Sequence, residues 1–183
     1  MLQFSKNYFR RSSTTSKSYR LSAIGRKNQC VSHTDTGFSI TSDLPSVSGG
    51  SNQGPQPVEL LLAALAGCKQ ATAQFVARHM RPRLHIERIE FDLHATRLPL
   101  GAVALPLSAI EVNGAVPPSR PASVEGTATV FTASSHAQPS AEQLRELARQ
   151  VERRCPVASA LSASGCRLAI SWAPGPVHSA SGA

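Results

Sequence analysis

The sequence predicts an α+β fold in which a largely antiparallel sheet packs against two principal buried helices. Three observations support this prediction. Short runs of β-forming residues lie before, between and after the helical segments. One helical segment, which begins near Pro57, contains an unbroken apolar run from Leu60 to Gly67. The other, which begins near Ser140, is amphipathic. The predicted element order is therefore βββ–α–ββ(β)–α–α–β.

The N-terminal part of the predicted domain favours three short antiparallel strands. Turn sequences separate them, Gly-Arg-Lys-Asn after the first and Thr-Asp-Thr-Gly after the second. The stretch from Asp43 to Gly54 is rich in Gly, Ser and Pro, which indicates a loop leading to the first helix. The predicted strands are Tyr19–Ile24, Gln29–His33 and Phe38–Thr41.

The first helix is predicted to begin at Pro57, because the first helical position does not need the N–H that proline lacks. Its apolar run is shorter than the roughly 20 residues that a membrane span requires, so the helix is predicted to lie in a protein core. Residues at helical spacing predict the buried face, and they include a cysteine whose thiol is therefore expected to be buried. This predicted face consists of Leu61, Leu65, Cys68, Thr72 and Phe75.

The residues after this helix alternate between apolar and polar from Leu84 to Ala95, which predicts a half-buried strand. A strand fragment is predicted at Ser108–Val112, within a segment rich in Pro, Ala and Gly, and a further strand at Ser123–Ser134. The last strand is predicted at Cys166–Trp172.

The second principal helix begins with a capping-box sequence, Ser140 to Gln143. Leu144, Leu147 and Val151 follow at helical spacing, so this helix is predicted to lie on a sheet. Pro156 is expected to end it and to begin a short helix that continues to Ala163.

The net charge of +8 is concentrated in the first 30 residues, which contain no acidic residue. The body of the chain is almost neutral, which argues against a nucleic-acid or membrane partner for the folded domain. Residues 1–18 are rich in Arg and Ser and have the composition of a transit peptide, which predicts a mitochondrial location. The alternatives are a basic tail on a cytoplasmic protein, or a basic arm that binds nucleic acid or a membrane surface. The predicted organisation is a leader at 1–18, a domain at 19–172 and a disordered tail at 173–183.

The four cysteines form no CxxC pair and no Cys/His spacing typical of zinc, so neither a metal nor another cofactor is predicted. Cys68 and Cys155 lie one in each principal helix. One thiolate can attack a peroxide, and a second thiol can then convert the resulting sulfenic acid into a disulfide. By local electrostatics Cys155 is expected to be the better thiolate, because it would cap the next helix and because it follows Arg153 and Arg154. The alternative is that both cysteines only pack in the core.

The motif GPQPVELLLAALAGC at Gly54–Cys68, followed by Cys155-Pro156-Val157, resembles the OsmC/Ohr superfamily of osmotically inducible and organic hydroperoxide resistance proteins. The resemblance covers approximately residues 19–172. It implies an OsmC-like fold, an intertwined homodimer and an antioxidant enzyme of the oxidative stress response that reduces organic hydroperoxides. It further implies Cys68 as the attacking thiol, Cys155 as the resolving thiol, and an external dithiol, such as a lipoyl group, as the reductant.

The resemblance also implies an arginine from an early strand and turn beside the attacking thiol, and Arg26 is the candidate. The organic hydroperoxide branch has a glutamate directly after the helix-opening proline, where this chain has Val58. Glu59 follows it, on roughly the opposite side of the helix from Cys68, so a direct Glu59–Cys68 hydrogen bond is not expected. Leu61, Leu65 and Glu59 are the predicted substrate-binding residues.

Two functions therefore follow from the sequence. The first is a two-cysteine thiol peroxidase, which the retention of both cysteines favours. The second is a non-catalytic OsmC-like dimer that binds a small apolar ligand, which Val58 favours. Cys30 and Cys166 are predicted to be packing residues in both cases.

Overall fold

The computed structural model describes residues 16–97, 120–133 and 135–176. The chain divides into two compact units, Met1–Gln56 and Pro57–Ala183. The strand fragment predicted at Ser108–Val112 lies outside the described residues. The limits proposed for the leader, the domain and the tail stay predictions.

The first unit contains the three predicted strands, joined in the order β1-β2-β3 with both pairs antiparallel. The β1–β2 connection is a two-residue turn, because Arg26 pairs with Gln29 and leaves only Lys27 and Asn28 between the strands. Lys27 has a φ of 54°, which is the left-handed conformation that such tight turns require. The strands are β1 Leu21–Arg26, β2 Gln29–Thr34 and β3 Ser39–Ser42.

The loop after β3 is organised around the buried carboxylate of Asp43, which is 1% exposed. This carboxylate accepts hydrogen bonds from the backbone N–H groups of Leu44, Ser51 and Gln53, at 2.8, 3.1 and 3.1 Å. Burial acts to raise the pKa of Asp43, but the three backbone donors stabilise the charged form and the pKa is lowered overall. Gly50 is required where the loop returns, since a Cβ there would lie 1.9 Å from the carbonyl oxygen of Leu44.

The second unit begins with helix α1, Pro57–His79, which confirms the predicted helix and its first residue. The predicted buried face is wrong in detail, because Phe75 is 53% exposed and Cys68 is only half-buried. The buried stripe is rotated by about one residue, a rotation that depends on the elements packed against α1. Its members are Leu65, Lys69, Ala73, Val76 and Ala77.

Helix α1 is also the one described helix whose length and apolar composition would allow it to cross a membrane. Core helices of soluble proteins pass the same test. In this structure α1 packs against two further helices and a strand of the second sheet.

The second sheet has the order β4-β5-β6, formed by β4 Arg88–Arg97, β5 Pro121–Phe131 and β6 Arg167–Pro174. Strands β4 and β5 are antiparallel, and β5 and β6 are parallel. Exposure alternates along β4 from Ile89 to Thr96, as its sequence predicts. Gly126 lies opposite Leu93, and a Cβ there would lie 1.9 Å from the carbonyl oxygen of Asp92.

Two helices connect β5 to β6, and this crossover explains why these strands run parallel. Helix α2 spans Ala141–Arg154 and begins with the predicted capping box: the Gln143 N–H donates to Ser140 Oγ, and the Ser140 N–H donates to Gln143 Oε1. Helix α3 spans Pro156–Ala163, so a single residue, Cys155, separates the two helices.

The core of the second unit contains two apolar clusters. The first joins the C-terminal half of α1 to α2, and the second joins the N-terminal half of α1 to α3 and the sheet. The second cluster consists of the buried residues Leu65, Val124, Cys155, Ala158, Leu161 and Cys166, with Leu61, Leu62, Cys68, Leu93, Ala95, Val157, Leu168 and Ile170 packed against it. Cys68 and Cys155 therefore belong to the same apolar cluster.

We predict that Asp43→Asn will destabilise the loop of residues 43–54, because the amide that replaces the carboxylate is a weaker acceptor for the three backbone N–H groups. The pKa of Asp43 is lowered from its ordinary value of 3.8, so its contribution to stability is fully present above that pH and is lost as the pH falls through the lower, folded pKa. The protection of the Leu44, Ser51 and Gln53 amides against hydrogen exchange should fall in the variant.

The measurement should be repeated from pH 6 downward. The difference between wild type and variant should narrow as the wild-type carboxylate takes up its proton. Asp35→Asn, at an exposed turn, is the matched control and should change none of the three amides. Equal protection in wild type and Asp43→Asn at neutral pH would contradict the assignment.

Candidate active site

The thiol of Cys155 is placed by the junction between α2 and α3. Its backbone N–H donates to the carbonyl oxygen of Val151 at 2.9 Å and so ends α2. Its Sγ accepts from the N–H of Ala158 at 3.5 Å and so caps α3. Pro156 requires this break, because it has no N–H to continue the α2 ladder. The result is a cysteine side chain with no exposed surface.

The side chain of Cys68, on α1, lies close enough to Cys155 to contribute to the raised pKa of Cys155. Cys68 packs against the second cluster and is half-buried, whereas Cys155 is completely buried within it. The tertiary structure therefore brings together the two cysteines that the sequence analysis singled out. A disulfide between them would require the two sulfur atoms to approach to about 2.05 Å.

Burial is the main reason that the pKa of Cys155 is raised above its ordinary value. The hydrogen bond from the Ala158 N–H lowers the pKa of Cys155. The neighbouring Cys68 raises the pKa of Cys155 further, and the positive charge of Lys69 lowers it.

The expectation that Cys155 is the better thiolate is therefore wrong. The predicted helix cap is present, but one long N–H to sulfur hydrogen bond is worth about 1 kcal/mol and burying an ion costs several kcal/mol. The two neighbouring arginines do not compensate, because Arg153 and Arg154 are exposed. The guanidinium Nε of Arg154 donates instead to Gln150 Oε1 at 2.9 Å.

A buried cation, which the sequence analysis missed, lies next to the thiols. Lys69 is 1% exposed and its Nζ forms an ion pair with Glu152 Oε2 on α2. The Glu152 side chain is 41% exposed, so the pair reaches from the core to the surface. The sequence signal was a single lysine four residues after Leu65 and four before Ala73, within an apolar stripe.

The other predicted site residues fall in different places. Leu65 is completely buried in the second cluster and Leu61 is partly buried against it, so both lie in the same cluster as the thiols. Glu59 is exposed in the first turn of α1. Arg26 is an exposed residue at the end of β1, in the first unit. The catalytic role of Arg26 and the substrate-binding roles of Glu59, Leu61 and Leu65 stay predictions.

The two remaining cysteines differ in burial. Cys166 is 4% exposed and belongs to the second cluster, which confirms it as a packing residue. Cys30 is half-buried in β2, with its Sγ 3.9 Å from Ser32 Oγ. Within residues 16–97, 120–133 and 135–176, no three His, Cys, Asp or Glu side chains are grouped to hold a metal ion.

A separate groove with a volume of about 600 Å³ lies between the C-terminal half of α1 and α2. Phe75, Val76 and Met80 supply its apolar surface, and cationic side chains lie beside them. Phe75 lies seven residues after Cys68, about 10 Å along the helix axis, so this groove is distinct from the thiol pair. Its other lining residues are His79, Arg81, Glu146, Gln150 and Arg154.

Comparison with known protein families shows the family to which this chain belongs. The family described as OsmC-like protein matches residues 50–171, which include Cys68, Cys155 and the three described α-helices. The chain belongs to the OsmC-like protein family. A comparison with curated proteins gave no match.

Solved structures support the fold of this OsmC-like protein. An OsmC-like protein from Mycoplasma pneumoniae has 19% identity and a TM-score of 0.65, and the match covers 88% of this chain and 100% of that one. An organic hydroperoxide resistance protein OsmC from Legionella pneumophila has 16% identity and a TM-score of 0.61, over 87% and 98% of the two chains. An organic hydroperoxide resistance protein from Elizabethkingia anophelis has 15% identity and a TM-score of 0.61, over 88% and 99%. At these identities the likeness establishes the fold.

We predict that an alkylating reagent will modify Cys68 of the OsmC-like protein before Cys155. Cys68 is half-buried, whereas Cys155 has no exposed surface and a raised pKa that keeps it protonated. The measurement is iodoacetamide labelling at neutral pH followed by peptide mapping, in a Cys30→Ser, Cys166→Ala background. Faster labelling of Cys155 would show that the assigned order of reactivity is wrong.

Proposed function

We propose that this OsmC-like protein is a two-cysteine peroxidase that reduces organic hydroperoxides. The position of Cys68 and Cys155 in one apolar cluster carries the proposal, because two-cysteine peroxidase chemistry requires two thiols that can form a disulfide. The description of two structural neighbours as organic hydroperoxide resistance proteins supports the choice of substrate class.

In the first step the Cys68 thiolate attacks the terminal oxygen of the hydroperoxide. The O–O bond breaks, Cys68 becomes a sulfenic acid, and the alkoxide takes up a proton and leaves as an alcohol. In the second step the Cys155 sulfur attacks the sulfenic sulfur of Cys68. The S–O bond breaks, a disulfide forms and the hydroxide leaves as water with the proton from Cys155. An external dithiol then reduces the disulfide and is itself oxidised.

The difference in exposure supports the proposed order in which the two thiols react. Cys68 is the more accessible of the pair, whereas burial raises the pKa of Cys155 and so favours its protonated form. The partly buried side chains of Leu61 and Leu62 pack against the same cluster as Cys68. An apolar surrounding of this kind favours the alkyl part of an organic hydroperoxide over hydrogen peroxide.

We predict that Cys68→Ser will abolish turnover of cumene hydroperoxide, because serine cannot supply a thiolate. Cys155→Ser should still reduce one equivalent of hydroperoxide and should then stop, because the sulfenic acid on Cys68 has no resolving thiol. Dimedone adducts identified by intact mass report the sulfenic acid, and the loss of two hydrogens in wild type reports the disulfide.

Cys166→Ala is the matched control, since this cysteine belongs to the same cluster but plays no part in the proposed chemistry. It should retain turnover and form the same disulfide. If Cys68→Ser retains full turnover, or if wild type remains reduced after hydroperoxide treatment, the peroxidase proposal fails. A protein that binds the hydroperoxide without consuming it would instead indicate an apolar-ligand carrier, the function that Val58 favours.

We also propose that the protein is a homodimer in which α1 contributes to the interface. Helix α1 leaves one face exposed despite its apolar sequence, and this face contains Ala64, Gly67, Ala71 and Phe75. These residues recur at steps of three or four, so they form one continuous strip. Small residues allow two helix backbones to approach closely, and Phe75 supplies apolar area.

We predict that Ala71→Glu will convert the dimer to a monomer, because it places a charge in the middle of this strip. Light scattering after size-exclusion chromatography measures the molar mass. Ala141→Glu, at an exposed position on α2, is the control and should leave the mass unchanged. A wild-type protein that is monomeric, or an Ala71→Glu variant that remains dimeric, would contradict the assigned interface.

A further inference from the structure

The peroxidase mechanism gives no role to the buried charge next to the two thiols. Lys69 directly follows Cys68 in α1, and its ammonium group is 1% exposed. A lysine is almost never buried to this extent unless it is paired, and the partner here is Glu152. Glu152 lies three residues before Cys155 on α2. The ion pair therefore connects the two helices that carry the thiols.

We propose that the Lys69 ammonium, held in the core by Glu152, favours the attack of Cys155 on oxidised Cys68 and so controls the rate of disulfide formation. Lys69 is thus a positioning residue that acts through Cys155, and Glu152 acts through Lys69. This inference rests on the proposed peroxidase function and adds to it a determinant of the second chemical step.

The charges around Cys155 change when Cys68 is oxidised. Before oxidation, a negative charge on Cys68 disfavours a second thiolate beside it. The sulfenic acid is neutral, so oxidation removes that repulsion. The Ala158 N–H and the Lys69 ammonium then remain as the groups that favour the Cys155 thiolate against its burial. Lys69 is thus most effective at the point in the reaction at which Cys155 must react.

The surroundings of Cys155 supply few other charges. From α1 the groups that titrate or carry charge are Cys68 and Lys69, and the coil before β6 contributes Cys166. The sheet residues of the same cluster, on β4, β5 and β6, are apolar among the described residues. On α2, Glu152 is paired with Lys69, whereas Arg153 and Arg154 are exposed.

The atom balance of the second step is unchanged by this assignment. Cys155 loses its proton, its sulfur forms the S–S bond, and the proton leaves with the hydroxide from Cys68 as water. Lys69 keeps its charge throughout and is neither oxidised nor consumed. Glu152 holds the ammonium against α2 and supplies the counter-charge that a buried lysine requires.

The first experiment tests the charge effect without peroxide. In a Cys30→Ser, Cys68→Ser, Cys166→Ala background, Cys155 is the only thiol, and the serine represents the neutral state of position 68. The ultraviolet absorbance of the thiolate is followed against pH. Lys69→Met should move the midpoint of the Cys155 titration upward by about one pH unit. At any pH below the midpoint, the fraction of Cys155 present as thiolate should then be roughly tenfold lower. Lys69→Arg keeps the positive charge, so its midpoint should equal that of the protein with Lys69.

Arg153→Met is the matched control, because it removes a positive charge that is close to Cys155 in sequence but exposed. It should leave the midpoint unchanged. The double variant Lys69→Met, Glu152→Gln replaces the ion pair by a neutral pair and so avoids an unpaired buried carboxylate if the single variant folds poorly. It should show the same upward shift.

The second experiment uses the full chain with Cys68 and Cys155 present. Rapid mixing with cumene hydroperoxide, followed by dimedone trapping and intact mass, separates sulfenic acid formation from disulfide closure. Lys69→Met should slow closure about tenfold and should allow the sulfenic acid to accumulate. Raising the pH should recover the closure rate. Arg153→Met should close the disulfide at the wild-type rate.

The outcomes separate this inference from the proposed function. If wild type forms no sulfenic acid or disulfide, the peroxidase proposal fails whatever Lys69 does. If wild type forms the disulfide and Lys69→Met closes it at the same rate with the same pH dependence, the inference about Lys69 is overturned. An upward shift with Arg153→Met equal to that with Lys69→Met would also overturn it, because the effect would then be unspecific.

Discussion

The reactive groups of the second unit depend on how one face of α1 is buried against α2, α3 and the sheet. That face carries Leu65, Ala73 and Val76, and it also carries Lys69. Burial of an unpaired ammonium costs several kcal/mol, so α1 can take this position only if α2 presents a carboxylate at the matching height. Glu152 does so. The ion pair therefore accompanies a particular alignment of α1 and α2, the alignment that places Cys68 beside Cys155.

Cys68 and Cys155 have the same intrinsic chemistry, but their environments differ. Cys155 lies at a helix junction with no exposed surface, and burial raises its pKa despite the N–H of Ala158. Cys68 lies on a helix interior and remains half-buried. The difference is one of access and solvation, because both thiols have the same cluster of apolar neighbours. This asymmetry supports the proposed roles, in which Cys68 attacks the hydroperoxide and Cys155 forms the disulfide.

Local patterns predicted the helices and most of the strands correctly. Pro57 at the start of α1, the capping box at Ser140 and the break at Pro156 are short-range signals, since each depends on the backbone within one turn. The alternation along β4 likewise reports a sheet with one covered face. The buried stripe of α1 was misplaced by about one residue, because neighbouring stripes of an apolar helix are equally apolar and only the packing partners distinguish them.

The sequence by itself determined the order of the elements, the turns and caps that bound them, and the two cysteines as the groups with chemical content. Only the tertiary structure decided that Cys68 and Cys155 share one cluster, that Lys69 is buried and paired with Glu152, and that burial raises the pKa of Cys155. These facts depend on residues more than 80 positions apart in the chain, such as the 83 that separate Lys69 from Glu152. Local rules describe backbone preference and helix faces, whereas solvation and charge at a site are set by distant segments that packing brings together.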